Sequence, residues 1–305
     1  MSGDRAERRG RLALAGAAAC GVQVGAAIVA SRWVVHDLGP APLAFLRYLV
    51  GAASLLPIVA LTRQPWSLQG PPRERLAIAA LGVGQFGLLI VLLNLGLTRL
   101  DAGLGALIFA TFPLVTLLLA VLLGRERFSV AAGAALVLTI GGVALALGVR
   151  VPVVADRWGF AFGVACVLLA TVIGAACALA YRPYLRRHPT LTLGLWAMAA
   201  SVLAIAPFAF AEGLVARAAA LRPAQWAAVV GVGLSSGVGY WLWLWALKHV
   251  DASRVTMFLA LSPVTATVLG ALWLGERLGW VAWIGIACVA LGLAMPGPRR
   301  PLTAA

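Results

Sequence analysis

Residues 76–98, which read LAIAALGVGQFGLLIVLLNLGLT, run for 23 positions without a charged side chain. The hydrocarbon core of a bilayer is about 30 Å thick and takes roughly 20 helical residues to cross, so this stretch is long enough to span it. Nine other apolar runs of similar length are separated by short connections that hold nearly all the charge: 12–35, 42–61, 103–124, 128–149, 158–181, 191–211, 224–247, 253–274 and 279–296. We therefore predict an all-α integral membrane protein with ten transmembrane helices.

The composition excludes a water-soluble domain. Of the 305 residues, 62% are hydrophobic and 11% are charged, whereas soluble domains carry about a quarter charged residues. The net charge of +14 comes mainly from arginines in short loops, which is typical of membrane helices bordered by cations and argues against nucleic acid as a partner. The four cysteines lie inside apolar runs without a CxxC pair or a histidine cluster, so we expect no disulfide, no metal site and no cofactor.

An internal repeat relates the two halves of the chain. A shift of 150 residues superposes several identical elements: Asp101-Ala102 on Asp251-Ala252, Pro113 on Pro263, and Glu126-Arg127 on Glu276-Arg277. Each half holds five predicted spans, and this odd number makes the second half enter the membrane from the opposite side. We predict two inverted five-helix repeats around a central cavity, at 12–149 and 158–296, with cytoplasmic tails at 1–11 and 297–305.

The distribution of lysine and arginine predicts the orientation. With the N-terminus inside, the cytoplasmic segments hold 16 of these residues and the outer loops hold seven. Because short cytoplasmic loops are enriched in lysine and arginine, we expect a multi-pass plasma (inner) membrane protein with both termini in the cytoplasm. We expect a monomer in the lipid bilayer, with a dimer as the alternative.

The second half contains a set of spaced motifs: YWLWLWALK at 240–248, Asp251-Ala-Ser253, Leu261-Ser-Pro-Val264 and Leu274-Gly-Glu-Arg277. The first half repeats the pattern as Asp101-Ala102, Phe112-Pro-Leu114 and Gly124-Arg-Glu-Arg127. Together these motifs resemble the EamA-type branch of the drug/metabolite transporter (DMT) superfamily. The resemblance covers nearly the whole chain. It implies ten spans, a central cavity between the halves, and export or uptake of metabolites, with amino acids or amphiphilic drugs as the usual cargo. It implies no enzyme chemistry.

Polar side chains inside the spans are the candidates for contact with cargo. Gln23 and Gln85 lie near the centres of spans one and three, and an amide in hydrocarbon is costly unless it has a partner. Each therefore faces a mid-membrane cavity or a neighbouring helix. For the serines, hydrogen bonding between helices is the simpler interpretation. The full set of candidate substrate-binding residues is Gln23, Gln85, Thr111, Ser235, Ser236, Tyr240 and Ser262.

Two prolines fall near the middle of spans four and nine. Pro113 and Pro263 each lack a backbone donor and free the carbonyl four residues earlier, on Phe109 and Leu259. We expect kinks that line the cavity, and the alternative is a kink that only fits the helix against its neighbours.

One charge lies inside a span, and it allows two interpretations. Arg47 either extends its side chain to the outer membrane interface or binds a substrate carboxylate. Tyr181 and Trp241 lie towards the cytoplasmic ends of their spans and are candidates for gating or for anchoring at the interface. Because tryptophans two positions apart cannot share one helix face, some of those at 241–245 face lipid.

The pattern as a whole favours a secondary transporter. A membrane enzyme would need a nucleophile–base pair, a metal cluster or paired carboxylates at a shared depth, and the sequence has none. No acidic residue lies at mid-membrane depth to relay protons, so we expect a uniporter or exchanger, with proton coupling by a different route as the alternative. The first prediction is alternating-access export of an amino acid or related metabolite. A multidrug exporter is the alternative, and a channel or scaffold ranks below both.

Overall fold

The described residues of the computed structural model are 2–100, 102–126, 128–147, 156–274 and 280–295. Within these ranges, every regular element is helical. A π-helical segment (Val83–Leu88) joins α3 to α4, and a 3₁₀ turn (Phe258–Ala260) joins α12 to α13. The α-helices are α1 (Ser2–Leu38), α2 (Pro40–Leu61), α3 (Pro72–Gly82), α4 (Leu89–Leu97), α5 (Ala102–Phe109), α6 (Phe112–Leu122), α7 (Val130–Leu147), α8 (Arg157–Arg187), α9 (Thr190–Ala211), α10 (Leu214–Ala219), α11 (Pro223–His249), α12 (Ala252–Met257), α13 (Leu261–Leu274) and α14 (Trp280–Ala294).

Seven helical stretches of the described chain are long and apolar enough to cross a membrane. Two shorter apolar helices, Val130–Leu145 and Trp283–Gly292, correspond to the fifth and tenth predicted spans. The ninth predicted span is divided among α12, the 3₁₀ turn and α13. The protein is therefore a multi-pass membrane protein, and these seven stretches agree with seven of the ten predicted spans: Arg9–Leu38, Pro40–Leu61, Pro72–Leu97, Leu104–Leu122, Arg157–Arg187, Thr190–Ala211 and Pro223–His249.

The N-terminal segment is helical. Helix α1 begins at Ser2, whereas the stretch suited to crossing the membrane begins at Arg9, and a cytoplasmic tail at 1–11 stays a prediction. The predicted C-terminal tail at 297–305 lies outside the described residues, as do Asp101, Arg127 and the pair Glu276-Arg277.

The two mid-span prolines stand where one helix ends and the next begins. Helix α5 ends at Phe109 and α6 begins at Phe112, with Pro113 in its first turn. Likewise α13 begins at Leu261, with Pro263 in its first turn. Proline is tolerated there because the first turn of a helix lacks intrahelical donors in any case. The predicted kinks are therefore short breaks between consecutive helices.

The 150-residue repeat is visible in helix bounds and in helix contacts. Helices α2 and α9 begin and end 150 residues apart. A Cβ on Gly142 would lie 2.7 Å from the carbonyl oxygen of Gly285, and one on Gly292 would lie 2.9 Å from that of Ala135. Since 135 and 285 also differ by 150, α7 and α14 make the same contact in both directions. Reciprocal contacts of this kind are expected where a two-fold axis relates two copies of a unit.

Candidate functional site

A central cavity of about 70 Å³ lies between the two halves. It is lined by α1, α2, α4, α11, the π-helical segment and residues at the two helix breaks. Its polar lining residues are Gln23, Arg47, Tyr48, Gln85, Ser236 and Tyr240, and the others are Cys20, Val24, Ile28, Phe86, Leu89, Ile90, Leu93, Phe109, Phe112, Trp243 and Leu259.

Residues related by the repeat line this cavity together. Four pairs that are 150 residues apart contribute both members to its wall: Phe86 with Ser236, Ile90 with Tyr240, Leu93 with Trp243, and Phe109 with Leu259. The helix breaks at 110–111 and 258–260 adjoin the last of these pairs. The cavity therefore lies where the two halves meet.

Small residues on α1 position Gln23. A Cβ on Gly21 would lie 2.0 Å from the carbonyl oxygen of Phe258, and one on Gly25 would lie 2.2 Å from that of Ser262. These glycines are four residues apart and let α1 lie directly against the 3₁₀ turn and α13. Gln23 is two residues from each, so it projects from roughly the opposite face of α1, towards α11.

A hydrogen-bonded network crosses from one half to the other through Ser236. Gln23 Nε2 donates to Ser235 Oγ at 3.1 Å and to Ser236 Oγ at 3.4 Å. Arg47 Nε donates to the same Ser236 Oγ at 2.8 Å. One hydroxyl of the second half thus accepts from two side chains of the first half.

Arg47 is buried beside this network and is only 6% exposed. Its guanidinium carbon lies 5.5 Å from the centre of the Tyr48 ring. Among the described residues, no carboxylate forms an ion pair with Arg47, and its two terminal nitrogens make no hydrogen bond. The interpretation of a side chain that extends to the membrane interface is wrong, because this guanidinium lines the central cavity.

Aromatic rings form the remainder of the wall. Phe86 contacts Tyr48 and Tyr240 with ring centres 4.8 and 4.1 Å apart, and Trp243 contacts Phe112 at 6.3 Å. Phe86 and Gln85 belong to the π-helical segment, and such segments often occur at functional sites. Gln85 lines the cavity, and its buried Oε1 has no hydrogen-bond partner.

A second polar cluster ties the loop after α6 to the second half at the helix ends. Arg182 and Asp251 form an ion pair at 2.9 Å, and Arg125 donates to the Leu179 carbonyl at 2.7 Å. Glu126 Oε1 accepts from the Ser253 backbone N–H at 3.5 Å, at the N-terminus of α12, where a carboxylate is favourable. Burial raises the pKa of the Glu126 carboxyl, and the hydrogen bonds from Ser253 oppose that shift.

The family is shown by comparison with known proteins. The EamA-like transporter family matches the chain twice, at residues 11–148 and 161–296. The chain belongs to this family. The EamA-like chain is 24% identical to the uncharacterized transporter YoaV of Bacillus subtilis, over 88% of its own length and 90% of the relative's. It is 29% identical to a probable terminal-alkyne amino-acid exporter of Streptantibioticus cattleyicolor, over 88% and 86%.

A solved crystal structure shares the fold of this EamA-like chain. It superposes with a TM-score of 0.77 at 19% sequence identity and covers 92% of this chain and 94% of that one. The resemblance to the EamA-type branch and the transporter class are therefore confirmed by the family match.

Three predicted cavity residues of this EamA-like protein lie elsewhere. Thr111 donates to the Ile108 carbonyl at 2.7 Å in the helix break, and Ser262 is buried where its backbone meets Gly25. Ser235 bonds to Gln23 but lines a separate apolar groove with Trp33. For Ser235 the reason is rotational, because it is about 100° around α11 from Ser236.

Of the two candidates for gating or anchoring, Tyr181 is fully buried with its ring centre 6.4 Å from that of Tyr240. This burial contradicts an anchoring role at the interface, and a gating role stays a prediction. Trp241 is half-buried and lines a surface pocket with Arg186 and Lys248. Whether Gln23, Gln85, Ser236 and Tyr240 bind cargo also stays a prediction.

Asn94 is a buried polar residue that the sequence interpretation missed. It is 1% exposed, and its Nδ2 donates to the Pro40 carbonyl at 3.0 Å, which ties α4 to the start of α2. The signal was present, because Asn94 lies in the same uncharged run as Gln85. The π-helical segment had no such signal, since no residue type marks it.

Proposed function

We propose that this protein is a secondary transporter that exports a small organic metabolite, an amino acid or a related compound, by alternating access. The observation that carries the proposal is the central cavity, whose lining comes from both halves in repeat-related pairs. A relative named as a probable amino-acid exporter supports the substrate class. The six polar lining residues include no carboxylate and no histidine within the described chain.

We further propose ten spans arranged as two inverted repeats in the plasma membrane, with both termini in the cytoplasm. The reciprocal contact of α7 with α14 supports a two-fold relation between the halves. With five spans in each half, the axis lies in the membrane plane. The bias of lysine and arginine towards alternate connections supports the orientation.

Alternating access requires a mouth that closes on each side. Glu126 of the first half accepts from Ser253 of the second half, beside the Arg182–Asp251 ion pair within the second half, and we assign this cluster to the closed mouth. The repeat places Arg32 and Asp101 at positions equivalent to Arg182 and Asp251, so the same pair of residue types is available for the opposite mouth. The cavity is smaller than the roughly 300–1,000 Å³ of typical ligand pockets, which suits a state that opens to admit cargo.

A multidrug exporter is the second candidate, because aromatic rings dominate the wall of the cavity. Phe86, Phe112 and Trp243 would suit an amphiphile. Against it, many such drugs are cations, and Arg47 already places a positive charge in the same space.

Counterflow in proteoliposomes tests the proposal. Purified protein is reconstituted into vesicles preloaded with one unlabelled amino acid at a time, and uptake of the labelled form is measured. We expect counterflow for a subset of the twenty, insensitive to a protonophore because no titratable carboxylate or histidine of the described chain lines the cavity. Arg186→Gln, an exposed change away from the cavity, serves as the control that retains transport. The same assay is run with N-acetylated amino acids, and no counterflow with any amino acid or N-acetylated amino acid would overturn the proposal.

A further inference from the structure

Arg47 places an uncompensated positive charge inside the protein. The side chain is 6% exposed, and a guanidinium stays protonated under all ordinary conditions. Buried charges are normally paired, because desolvation of a lone ion is costly. In the part of the chain that the structure describes, Arg47 has one hydrogen bond to Ser236 and the nearby face of the Tyr48 ring, and no acidic partner.

The two terminal nitrogens of the Arg47 guanidinium are free to bind a ligand. Its Nε is occupied by Ser236 Oγ at 2.8 Å, while Nη1 and Nη2 have no partner among the described residues. These two nitrogens form the fork that binds both oxygens of a carboxylate in parallel. Arg47 lines the cavity, so a group that occupies this space can reach that fork.

The network through Ser236 holds the fork in place. Gln23 donates to Ser236 from α1, and Ser236 accepts from Arg47 on α2. Each side chain comes from a different helix, so the guanidinium is fixed by more than its own flexible stem. A preorganised guanidinium loses less entropy when it binds an anion.

The rest of the lining supplies no negative charge. Apart from Arg47, the polar lining groups are two amides, one serine and two tyrosines, and the remaining wall is apolar or aromatic. A cation in this cavity would meet Arg47 at low dielectric with no carboxylate from the described residues to offset the repulsion. An anion would complete the pairing that Arg47 lacks.

We infer that Arg47, oriented by Ser236 and Gln23, is the carboxylate-binding residue of the central cavity, and that the cargo is a monocarboxylate whose remainder is uncharged and largely apolar. This inference rests on the proposed transport function and names its substrate class. An anionic acid, such as an N-acylated amino acid, binds best. A zwitterionic amino acid binds less well, because no lining carboxylate of the described chain receives its ammonium group. Cations are rejected.

Three probes that share one side chain test the charge preference directly. N-acetylleucine, leucine and leucinamide carry negative, zwitterionic and positive charge at pH 7, and their binding to the purified full-length protein is measured by isothermal titration calorimetry. We expect N-acetylleucine to bind at least about ten-fold more tightly than leucinamide, with leucine between them. Since this comparison uses the unsubstituted protein, it needs no variant to fold.

Substitution then assigns the preference to Arg47. Arg47→Gln should weaken the binding of N-acetylleucine about ten-fold, which corresponds to about 1.4 kcal/mol. It should also remove the protein's preference for N-acetylleucine over leucinamide. Arg47→Lys keeps the charge and should retain most of the preference, and Arg186→Gln is the exposed control that should change nothing. Undetectable N-acetylleucine binding, equal binding of leucinamide, or an unchanged preference in Arg47→Gln would each overturn the inference.

The two proposals fail in different ways. Counterflow of amino acids with no preference for anions would refute the carboxylate site and leave the transport function standing. Selective, Arg47-dependent binding of N-acetylleucine without counterflow of N-acetylleucine or of any amino acid would refute the proposed export function and leave the site standing.

Discussion

Gly25→Ala tests how closely α1 must lie against α13. A Cβ at this position would be 2.2 Å from the carbonyl oxygen of Ser262 and 2.8 Å from the Cβ of Thr265. Ordinary carbon–oxygen contacts lie at about 3.3–3.6 Å. The two helices would therefore have to separate by about 1 Å, and α1 would carry Gln23 with it.

The expected loss of stability in Gly25→Ala depends on which atom the new methyl group contacts. Overpacking a well-packed interior costs about 1–3 kcal/mol, and the upper end applies because a backbone carbonyl cannot rotate away as a side chain would. For a long chain, about 2 °C of apparent Tm is lost per kcal/mol. Gly25→Ala should therefore lower the apparent Tm by about 6 °C.

Thermal unfolding of the detergent-purified protein, followed by intrinsic tryptophan fluorescence, measures this loss. Gly16→Ala is the matched control on the same helix, because its Cβ would lie 3.6 Å from the nearest atom, the Cδ2 of Leu242. That variant should unfold within about 1 °C of the parent protein, given an ordinary contact and the better helix propensity of alanine. If Gly25→Ala and Gly16→Ala unfold together, the close approach of α1 to α13 is wrong.

Three further substitutions test the site and the mouth. Gln23→Leu removes both hydrogen bonds to the serines of α11. It should lower kcat/KM for counterflow about ten-fold, because a lost buried hydrogen bond costs about 1–3 kcal/mol. Unchanged affinity and rate would refute the role of Gln23. Asp251→Asn breaks the largely buried pair with Arg182, worth about 0.2–1 kcal/mol, and should speed labelling of a Ser253→Cys reporter by up to about five-fold. An unchanged rate would argue against a closed mouth there. Burial raises the pKa of the Glu126 carboxyl, so its contribution to stability is present at low pH and is lost as pH rises above the ordinary glutamate range. Glu126→Gln should flatten the fall in apparent Tm between pH 5 and pH 7, and a fall of equal size in both proteins would contradict this.

The fold was predictable to the extent that it depends on length and repetition. A span needs a fixed number of apolar residues, so runs such as 76–98 could be recognised without a structure. The repeat could be read from identical residues at one spacing, and the contact of Gly142 with Gly285 shows the same spacing in three dimensions. Helix breaks were harder to predict from the sequence, because Pro113 indicates an interruption but not whether the helix bends or ends there.

The site was only partly predictable, because the sequence shows depth along a helix better than direction around it. Gln23 was found, since a buried amide must have a partner. Arg47 was given two interpretations, and depth favoured the one that the structure contradicts. Ser235 and Ser236 lie at nearly the same depth, yet one faces the cavity and the other a groove. Their difference depends on how α11 is rotated, which packing against α1 and α2 decides.

The repeat supplies a nearly symmetric frame, but the polar groups of the cavity are not symmetric. The position equivalent to Arg47 is Ala197, and the position equivalent to Gln23 is Ile173. Ala197 is fully buried, and its backbone lies where α9 meets α3, because a Cβ on Gly82 would be 2.2 Å from its carbonyl oxygen. The charge that the first half places in the cavity therefore has no counterpart at the equivalent position of the second half. The proposed carboxylate site therefore predicts one orientation for the cargo, with its carboxylate towards Arg47 of the first half and its apolar part against Trp243 of the second.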